Sequence, residues 1–284
     1  MGTDRFAGQV VWITGASSGI GRALALAFDR LGAKLILSGR DPGALESVRE
    51  ACGRPGAVHL LPFDLSMLET IPAQADAALG RWGHVDVMVH NAGIALRGRV
   101  AETPLRLDQQ VMATNYLGPL ALTKALLPSM LARGAGHFVV ISSLSGKYGV
   151  PQLSAYAASK HALHGGFESL RAEVHDRGVY VTMVIPGFVR TPILQRALTG
   201  TGAAYGKTLP AYERGMDPGA CAAAIVRAVA RRKEEVFVGG WEGASLYARR
   251  FLPGLFARLI RSHPVRLRNR LLRLLTFGLA GRDS

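Results

Sequence analysis

Short apolar segments alternate with longer amphipathic segments along most of this 284-residue chain. The short segments are rich in Val, Ile and Leu and predict seven strands, at residues 10–13, 34–38, 58–63, 85–90, 137–142, 179–185 and 235–238. Helical periodicity between them predicts helices at residues 21–31, 42–51, 68–79, 107–133, 155–176 and 218–231. Because strands and helices alternate, the pattern favours an α/β fold with a doubly wound, parallel seven-stranded sheet and helices on both faces.

A glycine-rich turn, Thr14-Gly-Ala-Ser-Ser-Gly-Ile-Gly21, joins the first predicted strand to the first predicted helix. At such a junction glycines let the backbone approach a pyrophosphate, and the helix start offers free N–H groups and a favourable dipole. The turn therefore predicts the phosphate-binding corner of a Rossmann fold. Its glycines, Gly15, Gly19 and Gly21, are spaced more widely than in G-x-G-x-x-G, and an ordinary glycine-rich turn is the alternative interpretation.

Tyr156 and Lys160 are four residues apart in a predicted helix, so their side chains lie on the same face. A phenol beside an ammonium is a proton donor, because the positive charge lowers the pKa of the phenol toward working pH. On spacing alone, the alternative is a solvated helical pair.

Other motifs follow the ends of predicted strands. His90-Asn91-Ala92-Gly93 ends the fourth strand, Ser143 follows the fifth, and Pro186-Gly187 follows the sixth. The carboxyl ends of parallel strands meet at one edge of the sheet, where folds of this kind bind ligands. We therefore expect these motifs to converge on one cleft with the glycine-rich turn.

Taken in order, the motifs resemble those of the short-chain dehydrogenase/reductase family: T-G-x-x-x-G-x-G, N-A-G, a helix Asn (here Asn115), a strand-end Ser, Y-x-x-x-K and P-G. The resemblance covers residue 7 to about residue 240. Residues 143–147 and 155–162 look most like the branch of membrane-associated reductases that act on lipids and steroids. The resemblance implies hydride transfer between a nicotinamide cofactor and a carbonyl or secondary alcohol.

The same resemblance implies four catalytic residues. Tyr156 is the general acid or base, and Ser143 donates to the substrate oxygen and polarises it. Lys160 lowers the pKa of the tyrosine and hydrogen-bonds the nicotinamide ribose. Asn115 holds a water that connects Lys160 to solvent; the alternative is a helix-interior amide that satisfies a buried carbonyl.

The end of the second predicted strand decides between NAD and NADP. A carboxylate there would bind the ribose hydroxyls of NAD, but this chain has Gly39 followed by Arg40, whose planar fork suits the extra phosphate of NADP. We therefore expect NADP(H). Arg22, just after the glycine-rich turn, either adds positive charge to the cofactor site or simply lies on a helix surface. Asp64 meets the adenine ring, as the family resemblance implies; the alternative is that it caps a helix.

The remaining predicted cofactor residues come from the glycine-rich turn, the N-A-G motif and the segment after P-G. The full predicted set is Gly15, Ser17, Ser18, Gly19, Ile20, Gly21, Arg40, Asp64, Asn91, Ala92, Gly93, Tyr156, Lys160, Pro186, Gly187, Val189 and Thr191. The Gly/Thr-rich stretch that follows, to about residue 215, is interpreted as a mobile lid or as a plain surface loop. Four side chains either line an apolar substrate pocket or belong to the core: Leu144, Tyr148, Leu153 and Phe188.

Basic charge is concentrated in the C-terminal tail. The formal net charge is +14, and residues 245–284 contain nine Arg and one Asp. Two apolar helical faces, Leu255/Phe256/Leu259/Ile260 and Leu267/Leu271/Leu274/Leu275, lie among the arginines and suit an anionic membrane surface. The alternative is a helical flap packed on the domain or on another subunit; nucleic acid is not expected, because no recognition motif is present.

We predict a dinucleotide-binding catalytic domain at residues 1–244 and a basic amphipathic helical tail at residues 245–284.

Two cysteines, Cys52 and Cys221, fit a reducing compartment as buried thiols. No metal-ligand spacing, N-terminal signal or uninterrupted membrane span is evident, so we expect no metal and a cytoplasmic protein, peripheral at a membrane through its tail. We also expect a homo-oligomer.

The function predicted from the sequence is an NADP(H)-dependent oxidoreductase that acts on a carbonyl or secondary alcohol of a small apolar, lipid- or steroid-like molecule. The alternative is a non-catalytic NADP(H)-binding module that senses redox state at a membrane or partner surface. The set of Ser143, Tyr156 and Lys160 argues against this alternative, because a binding module has no need of the acid.

Overall fold

The computed structural model describes residues 3–261. The strands in chain order are β1 (Val10–Thr14), β2 (Lys34–Ser38), β3 (Val58–Leu60), β4 (Val87–His90), β5 (Leu96–Arg97), β6 (Gly136–Ile141), β7 (Val179–Pro186), β8 (Leu198–Thr199) and β9 (Glu235–Val238). Seven of them form one parallel sheet in the order β3-β2-β1-β4-β6-β7-β9, and β5 pairs with β8 in a separate parallel ladder. The predicted doubly wound seven-stranded sheet is confirmed.

The α-helices are α1 (Gly19–Arg30), α2 (Pro42–Glu50), α3 (Ile71–Trp82), α4 (Leu105–Met112), α5 (Gly118–Arg133), α6 (Ser154–Glu173), α7 (Pro210–Glu213), α8 (Pro218–Ala230), α9 (Ala244–Phe251) and α10 (Pro253–Arg261). The single helix predicted at residues 107–133 is divided by one π-helical turn, Ala113–Leu117. Pro119 has no backbone N–H to donate to the preceding turn, which accounts for a disturbed hydrogen-bond ladder at this point.

Alternating side chains of the central strands fill two apolar layers. In β1, Val11 and Ile13 pack in the layer that contains residues of α1 and α8. Val10 and Trp12 point to the other face, where the layer contains residues of α3, α5 and α6. All four are fully buried, which is why β1 reads as a continuous apolar run rather than an alternating one.

The strand order places the chain's direction reversal between β1 and β4. From β1 the chain builds outward through β2 to β3 and then returns to β4 on the other side of β1. The connections after β1 and β4 therefore diverge, and a crevice opens between them at the carboxyl edge of the sheet.

The chain divides into a compact unit, Met1–Glu242, and a second unit that begins at Gly243. Helices α9 and α10 make up the described part of the second unit. The second predicted leucine face, residues 267–275, lies outside the described residues. In the described part of the chain, no helix combines the length and the apolar character that crossing a bilayer requires.

Candidate active site

An open cleft with a cavity volume of about 260 Å³ lies at the carboxyl edge of the sheet. Its lining includes residues from the turn after β1, the ends of β2, β4, β6 and β7, and the first two turns of α6. Of the residues predicted for the site, all line this cleft except Gly21 and Asn115. The structure thus brings together segments that are far apart in sequence.

The glycine-rich turn forms a close-fitting cradle. Gly15 and Gly19 have positive φ angles of 63° and 55°, which side-chain-bearing residues rarely adopt. A Cβ on Gly15 would lie 2.8 Å from the Cα of Ala92, and a Cβ on Gly21 would collide with the carbonyl of Gly15. Ser18 occupies the N-cap position of α1, but its side chain does not hydrogen-bond the helix. The N–H groups of the first helical turn therefore keep no cap from Ser18 and remain available to a ligand. This geometry suits a phosphate group.

Asn91 fixes the turn to the end of β4. Its Nδ2 donates to the carbonyl oxygens of Thr14 and Gly15 at 3.0 and 3.1 Å. The hydroxyl of Thr14 in turn accepts the N–H groups of Asn91 and Ala92, each at 3.2 Å. These bonds hold the cradle and the N-A-G segment as one rigid corner.

Ser143 and Tyr156 both line the cleft. Burial raises the pKa of the Tyr156 phenol, and the neighbouring Ser143 hydroxyl acts in the opposite direction. Ser143 Oγ accepts the N–H of Ser145 at 3.2 Å, which holds the side chain at the start of the turn after β6. The sequence led us to expect a lowered pKa for Tyr156; burial outweighs that effect here.

Lys160 is buried one turn further along α6 and donates to the carbonyl oxygen of Ile141 at 2.8 Å. Its Nζ lies 5.8 Å from the centroid of the Tyr156 ring. Burial lowers the pKa of Lys160 to about 8. The ammonium therefore lies beside the phenol but is directed at the end of β6, which explains why its charge does not dominate the acidity of Tyr156.

Asn115 lies in the π-helical turn and is fully buried. Its Oδ1 accepts the N–H of Ile94 at 2.8 Å, and its Nδ2 donates to the carbonyl of Ile94 and to Ser159 Oγ, both at 2.9 Å. These are the bonds of the alternative interpretation, a buried amide that satisfies backbone groups. Asn115 also borders Gly93, as Lys160 does: a Cβ on Gly93 would lie 3.3 Å from Asn115 Oδ1 and 3.5 Å from Lys160 Nζ.

Arg40 lies at the opposite end of the cleft, exposed just after β2. Asp64 lines the same end and uses one carboxylate oxygen to accept from the N–H and hydroxyl of Ser66, at 2.9 and 2.7 Å. This local turn caps no helix, which excludes the alternative proposed for Asp64. Arg22 does not line the cleft; its charge acts on Cys52.

Among the cleft residues that the sequence did not single out are two with side chains able to contact a ligand, Arg196 and Tyr212. Arg196 donates to Ser18 Oγ at 3.1 Å, at the helix start that borders the cradle. Tyr212 belongs to α7 and packs edge-on against Phe188, with ring centroids 5.1 Å apart. Both come from the Gly/Thr-rich stretch, whose lack of periodicity gave no signal that could have identified them. The stretch is not structureless, since it contains β8 and α7.

The four apolar residues considered for a substrate pocket do not line the cleft. Leu144 is buried, and Phe188 packs against Tyr212.

Both predicted buried thiols are confirmed: burial raises the pKa of Cys52 to about 11 and that of Cys221 to about 12.

A His/Glu cluster lies on α6 and β9. His164, Glu168 and Glu235 bring three potential ligand atoms within 4.8 Å of one another. Lys147 donates to Glu235 at 2.7 Å, so an ammonium already compensates the carboxylate charge, and we assign no metal to the cluster.

The sequence matches a family model described as "short chain dehydrogenase" over residues 9–201. The chain belongs to the short-chain dehydrogenase/reductase family. Over 262 residues it is 42% identical to "Dehydrogenase/reductase SDR family member 7B" of Danio rerio, a match that covers 89% of this chain and 85% of that protein.

Solved structures of other short-chain dehydrogenases share the fold. One from Burkholderia phymatum in complex with NAD is 28% identical, with a TM-score of 0.79 over 88% of this chain and 95% of that one. A metagenomic short-chain oxidoreductase in complex with NADP is 30% identical, with a TM-score of 0.69 over 84% of this chain and 98% of that one. The family thus binds nicotinamide cofactors of both kinds, and the glycine cradle of this chain fits their shared pyrophosphate.

Proposed function

We propose that this short-chain dehydrogenase/reductase is an NADP(H)-dependent oxidoreductase that acts on a carbonyl or secondary alcohol of an apolar, lipid- or steroid-like molecule. The observation that carries the proposal is the meeting of Ser143, Tyr156 and the buried ammonium of Lys160 on the wall of one cleft. A protein that only binds the cofactor has no need of a phenol placed as an acid beside a second hydroxyl donor.

The chemistry follows from these three side chains. A bound nicotinamide would supply a hydride to the substrate or accept one from it. In the reductive direction the carbonyl carbon gains the hydride, and the Tyr156 hydroxyl gives its proton to the carbonyl oxygen, so a ketone becomes a secondary alcohol. Ser143 donates to the same oxygen and stabilises the charge that develops there.

The preference for NADP(H) is supported by Arg40. Its guanidinium is exposed at the cleft and, among the residues that the structure describes, makes no ion pair or hydrogen bond. The neighbouring Gly39 provides no carboxylate that would repel a 2′-phosphate. Asn91 and the glycine cradle would hold the pyrophosphate, and Pro186, Val189 and the other predicted residues of that segment would border the nicotinamide.

The apolar substrate class and the location rest on further features. The resemblance to membrane-associated reductases and the exposed aromatic side chains of α9 both favour a protein that works at an anionic membrane surface, in the cytoplasm. We place the enzyme there as a peripheral homo-oligomer.

Oxidation of NADPH in the presence of a panel of long-chain ketones and ketosteroids, followed by its absorbance, tests the proposal. The wild-type chain should reduce at least one ketone, and Tyr156→Phe should not, although it still binds NADPH. A wild-type protein that binds NADPH and reduces none of the panel would instead indicate the redox-sensing module.

A further inference from the structure

An arginine that has no ionic partner among the described residues follows two residues of the cleft wall. Ile94 and Ala95 line the cleft, and β5 continues from them to Arg97. Leu96 points into the apolar core, so Arg97 points away from it. Arg97 is half-buried, and within residues 3–261 no carboxylate lies within ion-pair distance of its guanidinium.

One aromatic ring lies beside this guanidinium, whose carbon is 5.3 Å from the centroid of the Tyr205 ring. Its charge also reaches the cleft wall. Burial raises the pKa of the Tyr212 phenol, and the Arg97 charge acts to lower it. Tyr212 lines the cleft, so Arg97 lies near enough to act on a cleft residue.

The residue after Arg97 pairs with the segment that leads into α6. Gly98 donates to the carbonyl of Gln152 at 2.9 Å and pairs with Leu153, the residue just before α6. The first turn of α6 contains no acidic residue, so its positive dipole end is not compensated by its own sequence. Arg99, two residues further along, is instead paired with Glu102.

Among the described residues, the contact recorded for the half-buried Arg97 guanidinium is the cation–π contact with Tyr205, which leaves its N–H groups available to an anion. A bound anion would compensate the charge of this guanidinium. We infer that Arg97 binds an anionic group, a carboxylate or a phosphate, at the end of the apolar substrate remote from its carbonyl. This inference rests on the proposed function and narrows its substrate class to amphipathic ketones or alcohols that carry an anion.

Three matched ketones test it: oxodecanoate with its ketone near the far end, the methyl ester of this acid, and the corresponding oxodecyl phosphate. The ester lacks the negative charge but has the same hydrocarbon chain as the acid. Comparing the acid with the phosphate shows which of the two anions the site prefers. The variants are Arg97→Gln, which removes the charge, and Arg97→Lys, which keeps it. Arg99→Gln is the matched control, since it removes an exposed charge from the same segment.

For the wild-type chain we expect kcat/KM for at least one anionic ketone to exceed that for the ester by about tenfold or more, since a charge-assisted hydrogen bond is worth that much. The preference should shrink with added salt. Arg97→Gln should abolish it through KM, Arg97→Lys should retain part of it, and Arg99→Gln should leave it unchanged.

Equal kcat/KM for acid, phosphate and ester in the wild type would overturn the inference without any variant. An Arg97→Gln variant that loses the same factor on all three ketones would also overturn it, because Arg97 would then only hold Tyr205. If the wild type turns over none of them, the proposed function fails, and calorimetric titration of oxodecanoate into wild type and Arg97→Gln still decides whether Arg97 binds the anion.

Discussion

The carboxylate of Glu242 accepts a hydrogen bond from the backbone N–H of Phe188 at 3.0 Å. The same oxygen accepts the N–H of Gly240 at 3.1 Å, so one buried side chain joins the segments that follow β7 and β9. Gly187 and Gly239 make this possible, because a Cβ on either would collide with the carboxylate. Since Gly187 lines the cleft, Glu242 supports the wall that would face the nicotinamide.

We expect Glu242→Ala to lower the free energy of unfolding by about 1–3 kcal/mol, because it removes the charged acceptor shared by two partly buried hydrogen bonds. It should also raise KM for NADPH more than it lowers kcat, since the wall of the cofactor site loosens. Glu242→Gln retains an acceptor oxygen and should keep most of both properties. Urea denaturation and steady-state kinetics measure the two effects; an Ala variant as stable as wild type would contradict the assignment.

Arg40→Ala should weaken NADPH binding by about tenfold or more, because a charge-assisted contact to the 2′-phosphate is lost, and should leave NADH binding unchanged. Arg22→Ala is the matched control, since Arg22 is exposed nearby on α1 but does not line the cleft. Calorimetric titration of both cofactors provides the measurement. Tighter binding of NADH than of NADPH by the wild type would reverse the assignment.

Tyr156→Phe should lower kcat by about a hundredfold or more, which is the usual contribution of a positioned acid, and should leave NADPH affinity close to normal. The ring still packs, and only the hydroxyl with its transferable proton is lost. Ser143→Ala should reduce kcat less, because the phenol remains. Stopped-flow turnover with the best ketone found is the measurement, and substantial activity in Tyr156→Phe would show that another group donates the proton.

Lys160 should make stability depend on pH. Burial lowers its pKa from 10.5 to about 8, so below that value both folded and unfolded states are protonated and the fold carries the full penalty of a buried charge. Between these two values the folded state releases the proton and the unfolded state keeps it, so the contribution of Lys160 to the free energy of unfolding rises with pH, by about 3 kcal/mol in all.

Urea denaturation of wild type and Lys160→Met across this range measures the effect as a difference between the two proteins. Lys124→Met, at an exposed position on α5, is the control and should show no such change. A wild-type-minus-variant difference that stays flat with pH would mean that Lys160 titrates as an ordinary lysine. Lys160→Met should also impair both turnover and NADPH binding, because its ammonium is proposed to serve both.

Apolar patterning and motif order predicted the sheet, its parallel strands and a set of site residues that, except for Gly21 and Asn115, all line the cleft. Patterning works here because the central strands are buried on both faces, so that β1 appears as an uninterrupted apolar run. The π-helical turn around Asn115 could not be predicted in this way, since its register depends on the packing of Gly118 against Leu65 and on the missing N–H of Pro119. The direction of the Tyr156 pKa shift was also missed, because desolvation depends on the whole fold and not on one neighbour.

The remaining prediction concerns the tail. Tyr247 and Phe251 are four residues apart in α9, on one face, and are 70% and 72% exposed. Arg249 and Arg250 lie in the last turn of the same helix. Exposed aromatic rings beside arginines are suited to the interface of an anionic bilayer, where rings enter the headgroup region and guanidinium groups meet phosphates. The nine arginines of residues 245–284 extend this charge beyond α10.

We therefore expect the full chain to co-sediment with vesicles that contain phosphatidylserine and not with vesicles of phosphatidylcholine alone. Binding should fall steeply as salt screens the arginines, and it should be lost on truncation after Gly243. Tyr247→Ser with Phe251→Ser should weaken it at low salt, because the apolar contribution is removed while the charge stays. If the truncated protein is insoluble and the intact one ignores phosphatidylserine at low salt, the tail is a structural flap, and the membrane surface must be withdrawn from the proposed function.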